Sequence, residues 1–188
     1  MVSRMVFIAA AVFMSQMVRP VYAQITPPTT QPATQPAYAE SKEGLTKLIQ
    51  DILAASKANE KNKLAGLIKD LHLPKHEAWF KQTFGDETGA KLATEYGDLL
   101  KKFDEEVTKF FADVVKEGKS DVSVRVLKSA DDKEATGLQK DALVAMKQKV
   151  TLYTVELKKP GEKAGTTLWS FVYAENGFRL AGKMRAIK

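Results

Sequence analysis

The fold turns on residues 166–187, TTLWSFVYAENGFRLAGKMRAI. Apolar side chains alternate with small or polar ones on both sides of Asn176-Gly177, the pattern of two strands that each bury one face. Asn-Gly accepts the positive φ angles required at both central positions of a type I′ turn, so the two strands are expected to fold back there. With that two-residue loop Glu175 faces Phe178, and counting outward pairs Tyr173 with Leu180, Phe171 with Gly182 and Trp169 with Met184. One face then carries Trp169, Phe171, Tyr173, Phe178, Leu180 and Met184, with Phe171 lying over the bare backbone of Gly182. The other carries Ser170, Val172, Ala174, Arg179, Ala181, Lys183 and Arg185, and reads as the solvated face. A sheet with one apolar face must cover it.

The cover is found upstream. The loop KKPGEKAG leads back from this hairpin to a strand over residues 149–158, and Val122, Val124 and Val126 alternate with Ser123 and Arg125 in an earlier one. A brief helix over residues 138–146 separates them. Before Gly118 the period changes to 3.6. Leu45, Leu48, Ile49, Ile52 and Leu53 form one apolar stripe, and Leu64, Leu67, Ile68 and Leu71 a second that Pro74 stops. Pro74 can open a third helix carrying Trp79, Phe80 and Phe84, with Gly85 ending it. From residue 87 to 117 a single stripe runs from Leu92 through Tyr96, Leu99, Phe103 and Val107 to Val115, predicting one helix of roughly 45 Å with either a bend at Gly97 or a frayed start. The expected architecture is α+β: N-terminal helices packed on a curved C-terminal antiparallel β-meander, in one domain over residues 41–188.

Composition sets the class. The chain has 188 residues, 44% hydrophobic and 28% charged, with no cysteine and a formal charge of +6. Disulfide scaffolds and thiolate metal sites are therefore excluded. Residues 1–4 start positively, residues 5–14 (MVFIAAAVFM) are apolar but too short to span a bilayer, and Val21-Tyr22-Ala23 offers small-residue cleavage before Gln24. This predicts a signal peptide over residues 1–23 and a secreted or periplasmic address, with no lipoprotein anchor because no cysteine follows. Without it, 27 bases face 23 acids, too mild an excess for a nucleic-acid partner. Residues 24–40 hold four of the seven prolines and the repeat TQPATQPA, which reads as an extended spacer with little to bury. No later apolar run is long enough to cross a membrane.

Helices, a strand, a short helix and a closing meander resemble the cone-shaped α+β domains of the NTF2-like (cystatin-like) superfamily. The segment PKHEAWFKQTFGDETGAKLATEY, residues 74–96, also resembles a pattern of uncharacterised secreted bacterial proteins. The superfamily usually places a hairpin between its helices, where this chain offers one strand around Val122. The resemblance implies a pocket inside the cone, in whose enzymes a carboxylate and a tyrosine share an apolar interior.

Asp104, Asp113 and Glu156 are the acids nearest apolar stripes, and Tyr96, Tyr153 and Tyr173 the phenols that could join one of them. A carboxylate among aromatics would have a raised pKa and could exchange a proton near neutrality. The ligand-pocket candidates are Tyr96, Phe103, Tyr153, Trp169, Phe171 and Tyr173, with core packing as the competing role. His72 and His76 lie four apart, but Pro74 interrupts the helix that would bring them onto one metal. Gly85, Gly89 and Gly97 follow no strand, and neither a phosphate-cradling loop nor a serine elbow occurs, so no cofactor and no catalytic residue is assigned. Arg125, Lys149, Arg179, Lys183 and Arg185 could meet an anionic partner or simply water. The leading expectation is a non-catalytic domain binding a small apolar ligand or a protein partner. The alternatives are a proton-transfer enzyme of the ketosteroid-isomerase or dehydratase kind and an envelope-associated interaction module; nothing in the sequence fixes the oligomeric state.

Overall fold

Ser41 opens the first helix by accepting the Gly44 N–H on its hydroxyl at 3.0 Å, the usual way a helix start satisfies an orphan donor. The computed structural model describes residues 38–187, so the expected signal segment and the spacer as far as residue 37 lie outside the described residues. Residues 38–40, assigned by composition to the spacer, include Tyr38, whose hydroxyl donates to Asp51 at 2.9 Å and whose carbonyl accepts from the Tyr173 hydroxyl at 3.3 Å. Helix α1 (Lys42–Lys57) buries Leu45, Leu48, Ile49 and Ile52, and α2 (Lys61–Lys69) buries Leu64 and Ile68. Helix α3 (His76–Phe84) starts two residues after Pro74, with Lys75 left-handed ahead of it at φ 49°, and stops at Gly85.

The long apolar run beyond Gly85 is not one helix. It divides into α4 (Asp86–Leu100) and α5 (Phe103–Lys116), and the break falls at Lys101–Lys102. Gly97, the expected site of any bend, lies inside α4. Leu92 and Tyr96 face one hydrophobic core while Phe103, Val107, Phe111 and Val114 face another, so one straight stripe could not serve both. Leu99 and Leu100, just before the break, pack against both cores.

Strand β1 (Asp121–Leu127), helix α6 (Gly137–Ala145) and strands β2 (Leu152–Lys158), β3 (Thr166–Ala174) and β4 (Gly177–Leu180) complete the fold, with a final 3-10 turn at Arg185–Ile187. The strands form an open antiparallel sheet in the order β1-β2-β3-β4. This is the α+β arrangement of helices and meander that the patterning predicts. Among the described residues no helix is long and apolar enough to cross a membrane.

Three details of the last hairpin differ from expectation. The two-residue loop is Glu175-Asn176, left-handed at φ 47° and 57°, and Gly177 is already paired with Ala174. Tyr173 therefore pairs with Phe178 and Phe171 with Leu180. Because the partner of each residue moves by two, the side chains of β4 keep their expected faces. Next, a bulge interrupts β3. Tyr153 pairs with Phe171 but Val155 with Leu168, so Trp169 and Ser170 together oppose Thr154, and Ser170 takes φ 61°. Leu168, not Trp169, thus shares a face with Phe171. Finally, the expected strand to residue 187 ends at Leu180. The Ala181 N–H makes a last bond to the Ser170 carbonyl at 2.8 Å, after which left-handed Gly182 (φ 80°) and Met184 (φ 52°) turn the chain out of the sheet. The expected pairs Phe171–Gly182 and Trp169–Met184 do not form.

Both faces of the sheet are covered. Val124, Tyr153, Val155, Phe171 and Phe178 pack with α1, α2 and α5. On the reverse face Leu127, Leu152 and Val172 pack with residues of α3, α4 and α6. The face read as solvated is therefore a second core. Its polar members were misleading because they satisfy one another: Thr154 and Ser170 are fully buried and hydrogen-bond to Gln139 of α6 at 2.6 and 3.4 Å. In this core α3 and α4 approach backbone to backbone, since a Cβ at Gly89 would lie 2.5 Å from the Lys81 Cα.

Candidate functional site

The break between α4 and α5, the bulge in β3 and the departure of the chain after Leu180 leave a cleft of about 540 Å³. Its position follows from these features. Strand β4 pairs only with residues 171–174, so among the described residues no strand lies along the outer edge of residues 166–169. Thr167, Leu168 and Trp169 form one wall there. Leu92, Tyr96 and Leu99 of α4, followed across the break by Val107 and Phe110 of α5, form a second. The departing segment from Leu180 to Arg185 supplies the third. The cleft runs along the seam between the two cores, with Val107 and Leu180 from one and Leu92, Tyr96 and Met184 from the other. A smaller cleft of about 200 Å³ lies at the start of α6, and Trp169 and Lys183 line both.

Four charged residues, Glu95, Glu106, Lys183 and Arg185, edge the apolar walls. Glu95 is already engaged. Its two carboxylate oxygens accept the backbone N–H groups of Arg185 and Ala186 at 3.1 and 2.8 Å, which fastens the final 3-10 turn to α4. Glu106, Lys183 and Arg185 are exposed, and none of the three makes an ion pair among the described residues. Tyr96 is 2% exposed, and its phenol oxygen accepts the buried Leu73 N–H at 2.8 Å. Burial pushes its pKa up to about 12, against a smaller lowering by that hydrogen bond. The ring rests against His76 and Phe80, at centroid distances of 5.2 and 5.7 Å.

Of the six residues nominated from sequence for a ligand pocket, Tyr96 and Trp169 line this cleft. Phe103, Tyr153 and Phe171 belong to the first core: Phe103 meets the His72 ring edge-on at 4.6 Å, and Tyr153 meets Phe178 at 5.2 Å. Tyr173 is half-buried, its ring 5.1 Å from Phe178. The nominated acids also lie elsewhere. Asp104 is exposed and 2.7 Å from His72 Nε2, Asp113 is exposed, and Glu156 accepts the Gly165 N–H at 3.1 Å and lies 3.7 Å from Lys158. His72 and His76 turn to different partners, and among the described residues no three acidic or imidazole groups gather as a metal site.

Sequence reasoning missed Glu95, Glu106, Leu99 and Phe110 as cleft residues. The i, i+4, i+7 spacing of Leu92, Tyr96 and Leu99 was visible, with Glu95 on its margin, but the break that opens the cleft behind them was not. Comparison with protein-family models, with curated proteins and with solved structures found no match.

Proposed function

We propose that this chain is an exported, non-catalytic domain that binds a small apolar or amphipathic ligand in the cleft between α4, α5, β3 and the departing C-terminal segment. The observation that carries this reading is the cleft itself: about 540 Å³, apolar on its walls and charged at its edge. That volume lies within the range of roughly 300–1,000 Å³ typical of small-molecule sites. Export rests on the pattern of residues 1–23. Binding is favoured over proton transfer by the two groups nearest such chemistry. The Glu95 carboxylate is occupied by two backbone donors, and the Tyr96 phenol is pushed to about 12, far from a pKa matched to neutral conditions.

Titration with an uncharged solvatochromic dye tests the reading. Saturable one-to-one enhancement is expected, with at least a fivefold loss of affinity in Leu99→Arg, whose new charge would stand in the apolar wall. Enhancement that is unsaturable, or unchanged in that variant and in Trp169→Ala, would overturn it.

A further inference from the structure

We infer that the ligand class of this cleft is a single-chain amphiphile with one anionic head, a long-chain carboxylate, whose head sits at Lys183 and Arg185 and whose chain lies along Leu99, Val107, Phe110 and Leu168. The inference rests on the binding reading above and deepens it.

The argument is one of unequal charge around an apolar channel. Four charges edge the cleft, two of each sign, but they are not equally available. Glu95 keeps its charge, but both its oxygens already accept backbone N–H groups, which leaves few of its lone pairs for a ligand in the cleft. Lys183 and Arg185 make no ion pair among the described residues and lie on one wall, on either side of the buried Met184. The remaining acid, Glu106, belongs to the opposite wall on α5. The departing segment thus brings two cationic side chains to the cleft that make no ion pair among the described residues, beside walls that are mostly hydrocarbon. A carboxylate within reach of an ammonium and a guanidinium on the same segment would accept charge-assisted hydrogen bonds from both. A neutral amphiphile would leave the two cations with water alone, and a cationic one would meet them as like charges.

Calorimetric titration of the whole chain with dodecanoate, dodecanol and dodecyltrimethylammonium, each below its micelle concentration, tests this. Dodecanoate is expected to bind one-to-one and about three- to tenfold more tightly than dodecanol, as exposed charge pairs permit, with the advantage shrinking as salt is added. Affinity is expected to rise by up to about fourfold for each methylene added to the carboxylate until the cleft is full. In the double variant Lys183→Ala/Arg185→Ala, both exposed positions, the carboxylate is expected to fall to the affinity of the alcohol while the alcohol is unchanged. Equal binding of carboxylate and alcohol by the unaltered chain overturns the head-group inference and leaves the binding reading standing. Tightest binding by the ammonium overturns it too, by making Glu106 the dominant pole. Failure of all three, together with failure of the uncharged dye, removes the binding reading itself.

Discussion

The Tyr96 phenol oxygen accepts the backbone N–H of Leu73 at 2.8 Å, tying the middle of α4 to the loop that follows α2. Leu73 and Tyr96 are each only 2% exposed, so water cannot replace the bond. Tyr96→Phe keeps the ring but strands the Leu73 N–H, which should cost about 1–3 kcal/mol, measured as a lower urea midpoint with an unchanged slope. A loss below about 0.5 kcal/mol would mean that the amide finds another acceptor.

The same phenol should make the protein sensitive to alkali. Its folded pKa of about 12 exceeds the ordinary value of 10.0, so between those values the unfolded chain releases a proton that the folded chain keeps. Stability is therefore fully present below pH 10 and falls as pH rises toward about 12, by on the order of 2 kcal/mol for this group. Tyr38, also raised to about 12 by burial and then by its bond to Asp51, acts in the same direction from a more exposed place. Urea unfolding at pH 8 and pH 11.5 would check this: the gap in stability between the unaltered chain and Tyr96→Phe should narrow at the higher pH.

Two glycines of α4 should respond oppositely to alanine. At Gly97 a Cβ would find only the His76 Nε2 at 3.9 Å, an ordinary contact, so Gly97→Ala should stabilise by about 0.5–1 kcal/mol through helix propensity and a less flexible unfolded chain. At Gly89 the Cβ would meet the Lys81 backbone nitrogen and the Phe80 carbonyl oxygen, each at 2.6 Å, and neither can move without shifting α3. Gly89→Ala should cost more than about 2 kcal/mol. Thermal melts of the two variants would separate them, and a destabilised Gly97→Ala would place a bend in α4 after all.

The β3–β4 turn offers a fourth test. Glu175 holds φ 47° although its side chain gains only an exposed ion pair with Lys75 at 3.2 Å. Glu175→Asn, better suited to that conformation, should raise stability by about 0.5–1 kcal/mol. Gly177, inside β4 and not left-handed, should lose about 1–2 kcal/mol on substitution by alanine, since the Arg179 guanidinium, which donates to the carbonyls of Asp70, Ala174 and Glu175, must shift. A larger loss at Gly177 would restore the turn to Asn176-Gly177.

Much of the architecture was legible because it depends on period. The helical stripes of α1, α2 and α5, the alternation in β1 and β2 and the existence of the final hairpin all follow from where Leu, Ile, Val and Phe recur. The parts that were not legible depend on competition between distant segments. Trp169 and Ser170 carry no local sign of a bulge; the alternation through Phe171 and Tyr173 reads straight across them. Ser170 looked like a residue for water because nothing in the chain shows that it will meet Gln139, which also bonds to Thr154. Lys101 and Lys102 break a helix whose stripe continues, since the two cores it serves lie in different directions. The cleft needs all three events together, which is why only Tyr96 and Trp169 of the nominated pocket residues reach it.

The four strands are floor to one core and ceiling to the other. Neither set of helices can lift away quietly, because the sheet it bares is oily on that side. The two halves, though sewn on by separate stretches of chain, are therefore expected to melt in one transition.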